Sequence, residues 1–201
     1  MADVERWRDA FASTVRERET AEPLKQAALD ERLRDWTTLL TGVVVHSCRS
    51  IGWTAAAKGH VLGELPQAGQ EYLGLDVMAF EQVGVGLAHD GAAVPWRFPV
   101  AVFELENSRA DDRVAYSLWK TLCVRASLRV VFAYRRDWSV GMELVQHLGR
   151  GVIGAMSIDT RVALDGDTLV VLGSRGEGDT FPHGYFKTWR LNTNTGRFDK
   201  L

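Results

Sequence analysis

A continuous apolar run at residues 129–135, RVVFAYR, most constrains the fold of this chain. Such a run is typical of a strand that is covered on both faces of its sheet. It is preceded by a second apolar segment, FPVAVFELENS at 98–108, and a helical pattern at 111–124 lies between the two. The order strand, helix, strand predicts a right-handed crossover that leaves the two strands parallel in one sheet.

A further strand is predicted upstream, at residues 71–80, EYLGLDVMAF. The sequence His-Asp-Gly at 89–91 is a turn signal, and 83–87 extends the resulting hairpin. The strands at 71–80 and 98–108 are therefore expected to be antiparallel neighbours. Together with the parallel crossover, this predicts an α/β fold with a mixed sheet flanked by helices.

The first part of the chain is predicted to be helical. An amphipathic helix is expected over 3–19, and a second helix, with Thr20 as its cap and Pro23 in its first turn, ends between Gly42 and Gly52. The apolar stripe of the first helix consists of Val4, Trp7, Phe11 and Val15, and that of the second consists of Leu29, Leu33, Trp36 and Leu40. The glycine-rich residues 52–70 are predicted to form a loop or an irregular hairpin.

The helix at 111–124 is expected to turn Val114, Leu118, Leu122 and Trp119 inward. The remaining predicted elements are a helix over 138–148, strands over 168–173 and 184–191, and a terminal hairpin at 192–196. Gly149, Gly151 and Gly154 spell GxGxxG, but they follow a helix, whereas a dinucleotide site needs a strand before these glycines.

The composition fits one globular domain. The chain has 201 residues, 46% of them hydrophobic, and we predict an N-terminal helix over 1–20, a core over 23–150 and a C-terminal strand extension over 151–201. No apolar run approaches a membrane span and the N-terminus is strongly charged, so a cytoplasmic protein without a membrane partner is expected.

The charge and the cysteines exclude some classes of site. Cys48 and Cys123 lack metal-ligand spacing and are interpreted as reduced core thiols. The net charge of −2 argues against a strongly basic, sequence-blind nucleic-acid binder. Arginine supplies 19 of the 24 positive residues, and arginine suits bidentate phosphate contacts, although a codon bias would give the same composition.

Acidic residues interrupt both predicted core strands. Side chains alternate along a strand, so Glu104 and Glu106 are expected to share one face, and Asp76 lies in the middle of the other apolar segment. Buried carboxylates are costly unless they are paired, hydrogen-bonded or bound to a cation, so the three acids indicate a divalent-metal site. The alternative is that they face water at the strand ends.

This arrangement resembles the PD-(D/E)XK nuclease superfamily over residues 23–135. That family has a core of helix, three strands, helix and strand, with an aspartate near one strand end and Glu-x-Lys or Asp-x-Lys on the next strand. Asp76 matches the first acid and Glu104 the second, whereas Glu106 stands where lysine is usual. Some members carry Glu-x-Glu there, and others place the lysine on the following helix, where Lys120 lies.

The resemblance implies a restriction-endonuclease-like core with an extra N-terminal helix and extra C-terminal strands. It further implies that Asp76, Glu104 and Glu106 hold Mg²⁺ or Mn²⁺, that Lys120 stabilises charge on the phosphate, and that DNA is the favoured nucleic acid. Lys120 could instead extend along its helix to solvent. Whether a helical acid, Glu22 or Glu31, completes the site stays open.

Three basic residues are candidate phosphate contacts: Lys58, Arg109 and Arg113. Each of them could equally be an ordinary solvated side chain. The sequence therefore predicts a divalent-metal-dependent nuclease that acts in DNA processing or defence, with a protein partner or a homodimer as a further possibility. The alternative is a catalytically silent nuclease-like module that works by binding within a larger complex, which the absence of a Glu-x-Lys lysine would favour.

Overall fold

The computed structural model describes residues 3–62, 73–82 and 96–201. The helices in these ranges are α1 (Asp3–Arg16), α2 (Arg18–Leu29), α3 (Leu33–Ser50), α4 (Asp111–Leu122), α5 (Trp138–Gly151) and α6 (Ile158–Val162). The strands are β1 (Trp53–Ala57), β2 (Val77–Glu81), β3 (Ala101–Leu105), β4 (Leu128–Arg135), β5 (Asp167–Ser174), β6 (Phe186–Asn192) and β7 (Arg197–Lys200).

These strands form one seven-stranded sheet in chain order. The strands β1, β2 and β3 are antiparallel, β3, β4 and β5 run parallel, and β5, β6 and β7 are antiparallel again. The predicted α/β class with a mixed sheet flanked by helices is therefore confirmed. The C-terminal strands belong to the same sheet as the predicted core.

The crossover predicted from the apolar run is present. The helix α4 connects β3 to β4, and the two strands pair in parallel, with Phe103 opposite Val130. All eight residues of β4 are buried, as expected for a strand that is covered on both faces. The predicted antiparallel pairing of the two acid-bearing segments also holds, with Val77 opposite Phe103.

Helices cover both faces of the sheet and close two apolar layers. On one face α1, α2 and α3 pack, and the fully buried Trp7 lies with its ring centroid 5.4 Å from Phe11 and 5.2 Å from Phe103. On the other face α4 and α5 pack Leu118 and Leu144 against the middle of the sheet. The strand β3 lies between these two layers, so its side chains alternate between contacts with α1, such as Phe103 with Trp7, and contacts with α4, such as Glu104 with Lys120.

The N-terminal helical region differs from the prediction. The second predicted helix is two helices, α2 and α3, because the chain turns at residues 30–32, where Glu31 has a positive φ of 54°. The helix α2 begins at Arg18 with Glu17 as its cap residue, so Thr20 is not the cap and Pro23 lies inside the helix. Trp36 and Leu40 are buried as predicted, whereas Leu29 and Leu33 are exposed because they flank this break.

Other predictions are corrected by the tertiary contacts. The segment at 52–70, predicted as a loop or an irregular hairpin, contains β1 within its described part, and the pairing of β1 with β2 stabilises this alanine-rich strand. Trp119 is 55% exposed rather than inward, because α4 turns Val114, Ser117, Leu118 and Thr121 to the sheet instead. Cys48 is buried, but Cys123 is exposed and is not a core thiol.

The strand β2 begins at Val77, so Asp76 precedes it rather than lying within it. The predicted strand extension at 83–87 and the turn at 89–91 lie outside the described residues. The helix α5 continues to Gly151, beyond the predicted end at residue 148, so two of the GxGxxG glycines lie in its last turn and no strand directly precedes them. Among the described helices, none is both long enough and apolar enough to cross a membrane.

Candidate functional site

The structure brings Asp76 and Glu104 together at the point where β2 begins and β3 ends. The antiparallel register places Val77 opposite Phe103, so the residues on either side of this pair also lie opposite each other. The backbone N–H of Leu105 donates to Asp76 Oδ2 at 2.7 Å, and the backbone N–H of Asp76 lies 3.4 Å from Glu104 Oε1. Each carboxylate is therefore held by the backbone of the neighbouring strand.

Glu104 is the buried member of the pair, with 5% of its surface exposed. Burial raises the pKa of this carboxyl, hydrogen bonding from Lys120 lowers it, and the charge of Asp76 raises it again, so that the net shift is upward. A second hydrogen bond, from the Ser117 side chain, also lowers the pKa of Glu104. The carboxyl is thus in a position where a further positive charge would stabilise its ionised form.

Lys120 reaches this carboxylate from α4. Its Nζ lies 2.8 Å from Glu104 Oε1, and it also donates to the backbone carbonyl of Gly74 at 2.6 Å. The Lys120 side chain is only 22% exposed. The ammonium therefore contacts Glu104 instead of extending along its helix to solvent.

The packing of α4 explains this contact. Val114 and Leu118 are buried against the sheet, and Ser117 and Thr121 are buried beside them. Residues three apart are neighbours on a helix surface, so Ser117 and Lys120 share the edge of α4 that faces Glu104. Sequence analysis did not select Ser117 or Gly74, and the three-residue spacing from Lys120 is the only signal that could have indicated Ser117.

Glu106 does not join the pair, although strand alternation predicted that it would. The strand ends at Leu105, and the side chain of Glu106 turns back on its own loop, where its Oε1 accepts from the backbone N–H of Ser108 at 2.7 Å. The predicted three-carboxylate site is corrected accordingly. In residues 3–62, 73–82 and 96–201, no three His, Cys, Asp or Glu side chains are grouped so that they could hold a metal ion.

The predicted phosphate contacts lie around the pair rather than in it. Lys58 is exposed in the turn after β1, and because Ala57 pairs with Val77, it is at the same end of the sheet as Asp76. Arg113 is exposed in the first turn of α4. Arg109 is exposed in the loop after β3 and forms an ion pair with Glu31.

The two helical acids do not complete the site. Glu22 lies on the exposed surface of α2. Glu31 lies in the turn between α2 and α3 and forms ion pairs with Arg109 and Arg175 at 3.1 Å and 2.8 Å. The cluster of Asp76, Glu104 and Lys120 is therefore the candidate site, and we call it the acid–lysine cluster.

Asp76 and Glu104 are the two side chains of the acid–lysine cluster that could hold a divalent cation such as Mg²⁺ or Mn²⁺. Magnesium is commonly held by one or two carboxylates, with waters and substrate phosphates supplying its other ligands. Asp76 and Glu104 provide two carboxylates, of which Glu104 already pairs with Lys120, and the pKa of Glu104 is raised mainly by burial and to a lesser extent by the charge of Asp76. Comparison of the chain with protein-family models, with curated proteins and with solved structures gives no match.

Proposed function

We propose that the protein is a Mg²⁺- or Mn²⁺-dependent nuclease whose catalytic residues are Asp76, Glu104 and Lys120. The observation that carries this proposal is that two carboxylates, one just before β2 and one in β3, and the ammonium of a lysine in α4 meet at one end of the sheet. Paired carboxylates with an adjacent cation are suited to phosphodiester hydrolysis, where charge builds up on the phosphate oxygens.

The order of elements supports the proposed relationship to the PD-(D/E)XK nucleases. The segment from α3 to β4 runs helix, three strands, helix, strand. The strand β1, which the sequence did not predict, supplies the third strand of that order. Lys120 lies on the helix after the second acid strand, which is the position that the resemblance implies when the Glu-x-Lys lysine is missing.

Each residue of the cluster has a role that follows from its contacts. A divalent cation at Asp76 and Glu104 would polarise the phosphate and lower the pKa of a bound water. The N–H of Leu105 orients the Asp76 carboxylate. Lys120 keeps a positive charge beside the carboxylates and can extend it to a phosphate oxygen, as a preorganised charge stabiliser.

Two aromatic side chains beside Lys120 support a nucleic acid as the substrate. Tyr116 and Trp119 stack on the surface of α4 with their ring centroids 5.9 Å apart, and each is 55% exposed. The Nζ of Lys120 lies 5.9 Å from the centre of the Tyr116 ring. Exposed aromatic rings next to a cationic group are suited to stacking on unpaired bases, which favours a single strand.

Incubation with labelled single- and double-stranded DNA and RNA, with Mg²⁺ or Mn²⁺, tests the proposal. We expect cleavage of at least one of these substrates, and we expect chelation of the metal to abolish it. Asp76→Asn and Glu104→Gln should each remove the activity while retaining the fold. Glu81→Gln is the matched control, because Glu81 is an exposed acid at the opposite end of β2.

Absence of cleavage for every substrate, together with absence of calorimetric metal binding, would contradict the nuclease proposal. Metal binding that survives in the Asp76→Asn, Glu104→Gln double variant would contradict the assignment of the site. Cleavage retained by that double variant would do the same, whatever the metal affinity.

A catalytically silent binding module is the second candidate, and the Glu104–Lys120 ion pair favours it. The ammonium neutralises the more buried carboxylate, and within the described ranges no third acid joins the pair. In such a module the cluster has a structural role, and the double replacement of Asp76 and Glu104 leaves binding to a protein partner unchanged. Calorimetry separates the candidates, because only the nuclease requires millimolar or tighter binding of Mg²⁺ in the presence of an oligonucleotide.

A further inference from the structure

An open cleft of about 970 Å³ lies where the three parallel strands end. Its wall includes the residues that follow β3, the last residues of β4 and the residues that follow β5. In open α/β sheets, ligands bind in the crevice beyond the carboxyl ends of the strands. The cleft lies in that position, and the acid–lysine cluster does not line it.

The charged side chains of this cleft are four arginines and three acids, which leaves a small positive excess. Its four basic side chains are Arg109, Arg135, Arg136 and Arg175. Three acids line it as well: Glu31, Asp111 and Asp112. Guanidinium groups suit phosphate because their planar donors can bind two oxygens at once. We refer to it as the arginine cleft.

One arginine is fixed and two are arranged around a common anion. Arg135 is buried, and it donates to the backbone carbonyls of Ser108 and Tyr134 at 3.3 Å and 2.6 Å and pairs with Asp111. Arg109 lies in the loop after β3, and Arg175 directly follows β5. Both contact Glu31, at 3.1 Å and 2.8 Å respectively. Two guanidinium groups that converge on one carboxylate form an anion-binding arrangement.

Glu31 is the anion in this arrangement, and its own conformation is unusual. Its φ of 54° is in the left-handed region that residues other than glycine rarely adopt. Its side chain is 56% exposed, so its ion pairs are solvated and easily exchanged. A phosphodiester of a nucleic-acid strand carries one negative charge and two non-bridging oxygens, so it can take the place of this carboxylate between the two guanidinium groups.

We propose that the arginine cleft is a phosphate-binding subsite for a nucleic-acid strand, and that the Glu31 carboxylate competes with the phosphate for Arg109 and Arg175. The choice of a strand as the source of the phosphate rests on the proposed nuclease function. The phosphate chemistry itself rests on the arginines and on the carboxylate that they already bind.

The position of the cleft shows that it takes a phosphate other than the one proposed to be cleaved. Glu104 pairs with Val131, and Arg135 lies four residues further along β4. At roughly 3.3 Å per residue, the two are about 13 Å apart along the strand direction. This separation exceeds the roughly 3.4 Å by which successive phosphates of a helically stacked strand advance along its axis, so the cleft would hold a different phosphate of the same strand.

The test measures binding without cleavage, by fluorescence anisotropy of labelled 3- and 12-nucleotide single strands in EDTA. We expect the 12-mer to bind more tightly than the 3-mer. Replacing Arg109 and Arg175 together by Met should weaken 12-mer binding, and it should reduce the slope of log K against log salt by about 1.4, since each contact to a single strand contributes about 0.7. Arg197→Met is the matched control, because Arg197 is an exposed arginine on the distant edge strand β7.

Glu31→Gln tests the competition between the Glu31 carboxylate and a phosphate. The expected result is tighter binding, which a misfolded variant would not show. Removing the competing charge should tighten 12-mer binding several-fold, whereas Glu22→Gln on the neighbouring helix should have no effect. Unchanged affinity in both the double arginine variant and Glu31→Gln would overturn the proposal. If inorganic pyrophosphate displaces the strand and the two lengths bind equally well, the cleft takes a small phosphate compound, and the strand assignment is overturned.

These measurements are independent of the nuclease proposal. Strand binding that depends on Arg109 and Arg175, in a protein that cleaves no nucleic acid, would support the phosphate-binding role of the cleft and contradict the nuclease proposal. Cleavage that depends on Asp76 and Glu104, with strand binding that is insensitive to the arginines and to Glu31, would support the nuclease proposal. It would contradict the proposal that the arginine cleft binds a phosphate.

Discussion

Lys120 and Glu104 are sixteen positions apart in the chain, and the ammonium of one lies 2.8 Å from the carboxylate of the other. The contact joins α4 to β3, which are consecutive elements of the crossover. Because Glu104 is also next to Asp76, the lysine provides positive charge to a buried site that otherwise carries two acids. Every interpretation of the cluster depends on this ion pair.

Replacing Lys120 by Met should reduce both activity and stability. We expect cleavage to fall on the order of a hundredfold or more, because one preorganised charge stabiliser is removed. The free energy of unfolding should fall by about 2 kcal/mol, since a buried carboxylate loses its charged partner. Lys200→Met, at an exposed position on β7, is the control and should change stability by no more than about 0.5 kcal/mol. An active, equally stable Lys120→Met protein would contradict a role for Lys120 in the site.

Glu104 should make stability depend on pH. Its raised pKa means that the folded protein keeps the proton at pH values where the unfolded chain, with a glutamate pKa of about 4.3, has released it. Stability from this group is therefore complete below the unfolded pKa and is lost as pH rises through the folded pKa. Because Glu104→Gln cannot lose a proton, its free energy of unfolding relative to the parent should increase with pH over this interval and then level off.

Denaturant unfolding of both proteins at a series of pH values between about 4 and 8 measures this difference. The Glu81→Gln variant should show no comparable trend, because Glu81 is exposed. A difference between Glu104→Gln and the parent that falls with rising pH would contradict the upward shift of the Glu104 pKa.

Trp119 should contribute to single-strand binding without contributing to the fold. Its ring is 55% exposed and stacks on Tyr116. We expect Trp119→Ala to weaken binding of single-stranded DNA by about 1–3 kcal/mol, the usual contribution of one stacked base, with little change in thermal stability. Ile158→Ala removes another exposed apolar side chain, on α6, and should leave binding unchanged. Equal binding by the two variants would argue against a stacking surface on α4.

The two cysteines should differ in reactivity. Cys48 is fully buried and burial strongly raises the pKa of its thiol, whereas Cys123 is exposed after α4. An aromatic disulfide reagent should modify one thiol of the native protein rapidly and the second only on unfolding, because the thiolate is the reactive form. Cys123→Ser should abolish the fast phase, and Cys48→Ala should retain it. A fast phase that persists in Cys123→Ser would contradict the burial of Cys48.

Local patterns were sufficient to predict most of the elements. Three predicted patterns depend only on residues close together in the chain, and the structure contains all three. They are the apolar stripe from Val4 to Val15, the acids at the start of α4 and the apolar run of β4. The parallel pairing of β3 with β4 also followed from the sequence, because the handedness and length of a strand–helix–strand connection leave few alternatives.

Features that depend on distant partners were not predictable in this way. The strand β1 has the sequence WTAAA, which has weak intrinsic strand preference, and its hydrogen bonds to β2 make it a strand. The break after Leu29 and the outward position of Trp119 depend on which helix faces meet the sheet. Periodicity alone allowed a longer helix and a different inward face.

For the candidate site, the sequence by itself selected Asp76, Glu104 and Glu106, because acids within apolar segments can be recognised locally, and the resemblance to the PD-(D/E)XK nucleases added Lys120. Only the tertiary structure decided that Asp76, Glu104 and Lys120 meet, that Glu106 turns away, and that Arg109 and Arg175 both pair with Glu31. The physical reason is that a side chain's partners are determined by strand register, by where a strand ends and by helix rotation. All three depend on contacts between residues that are far apart in the chain.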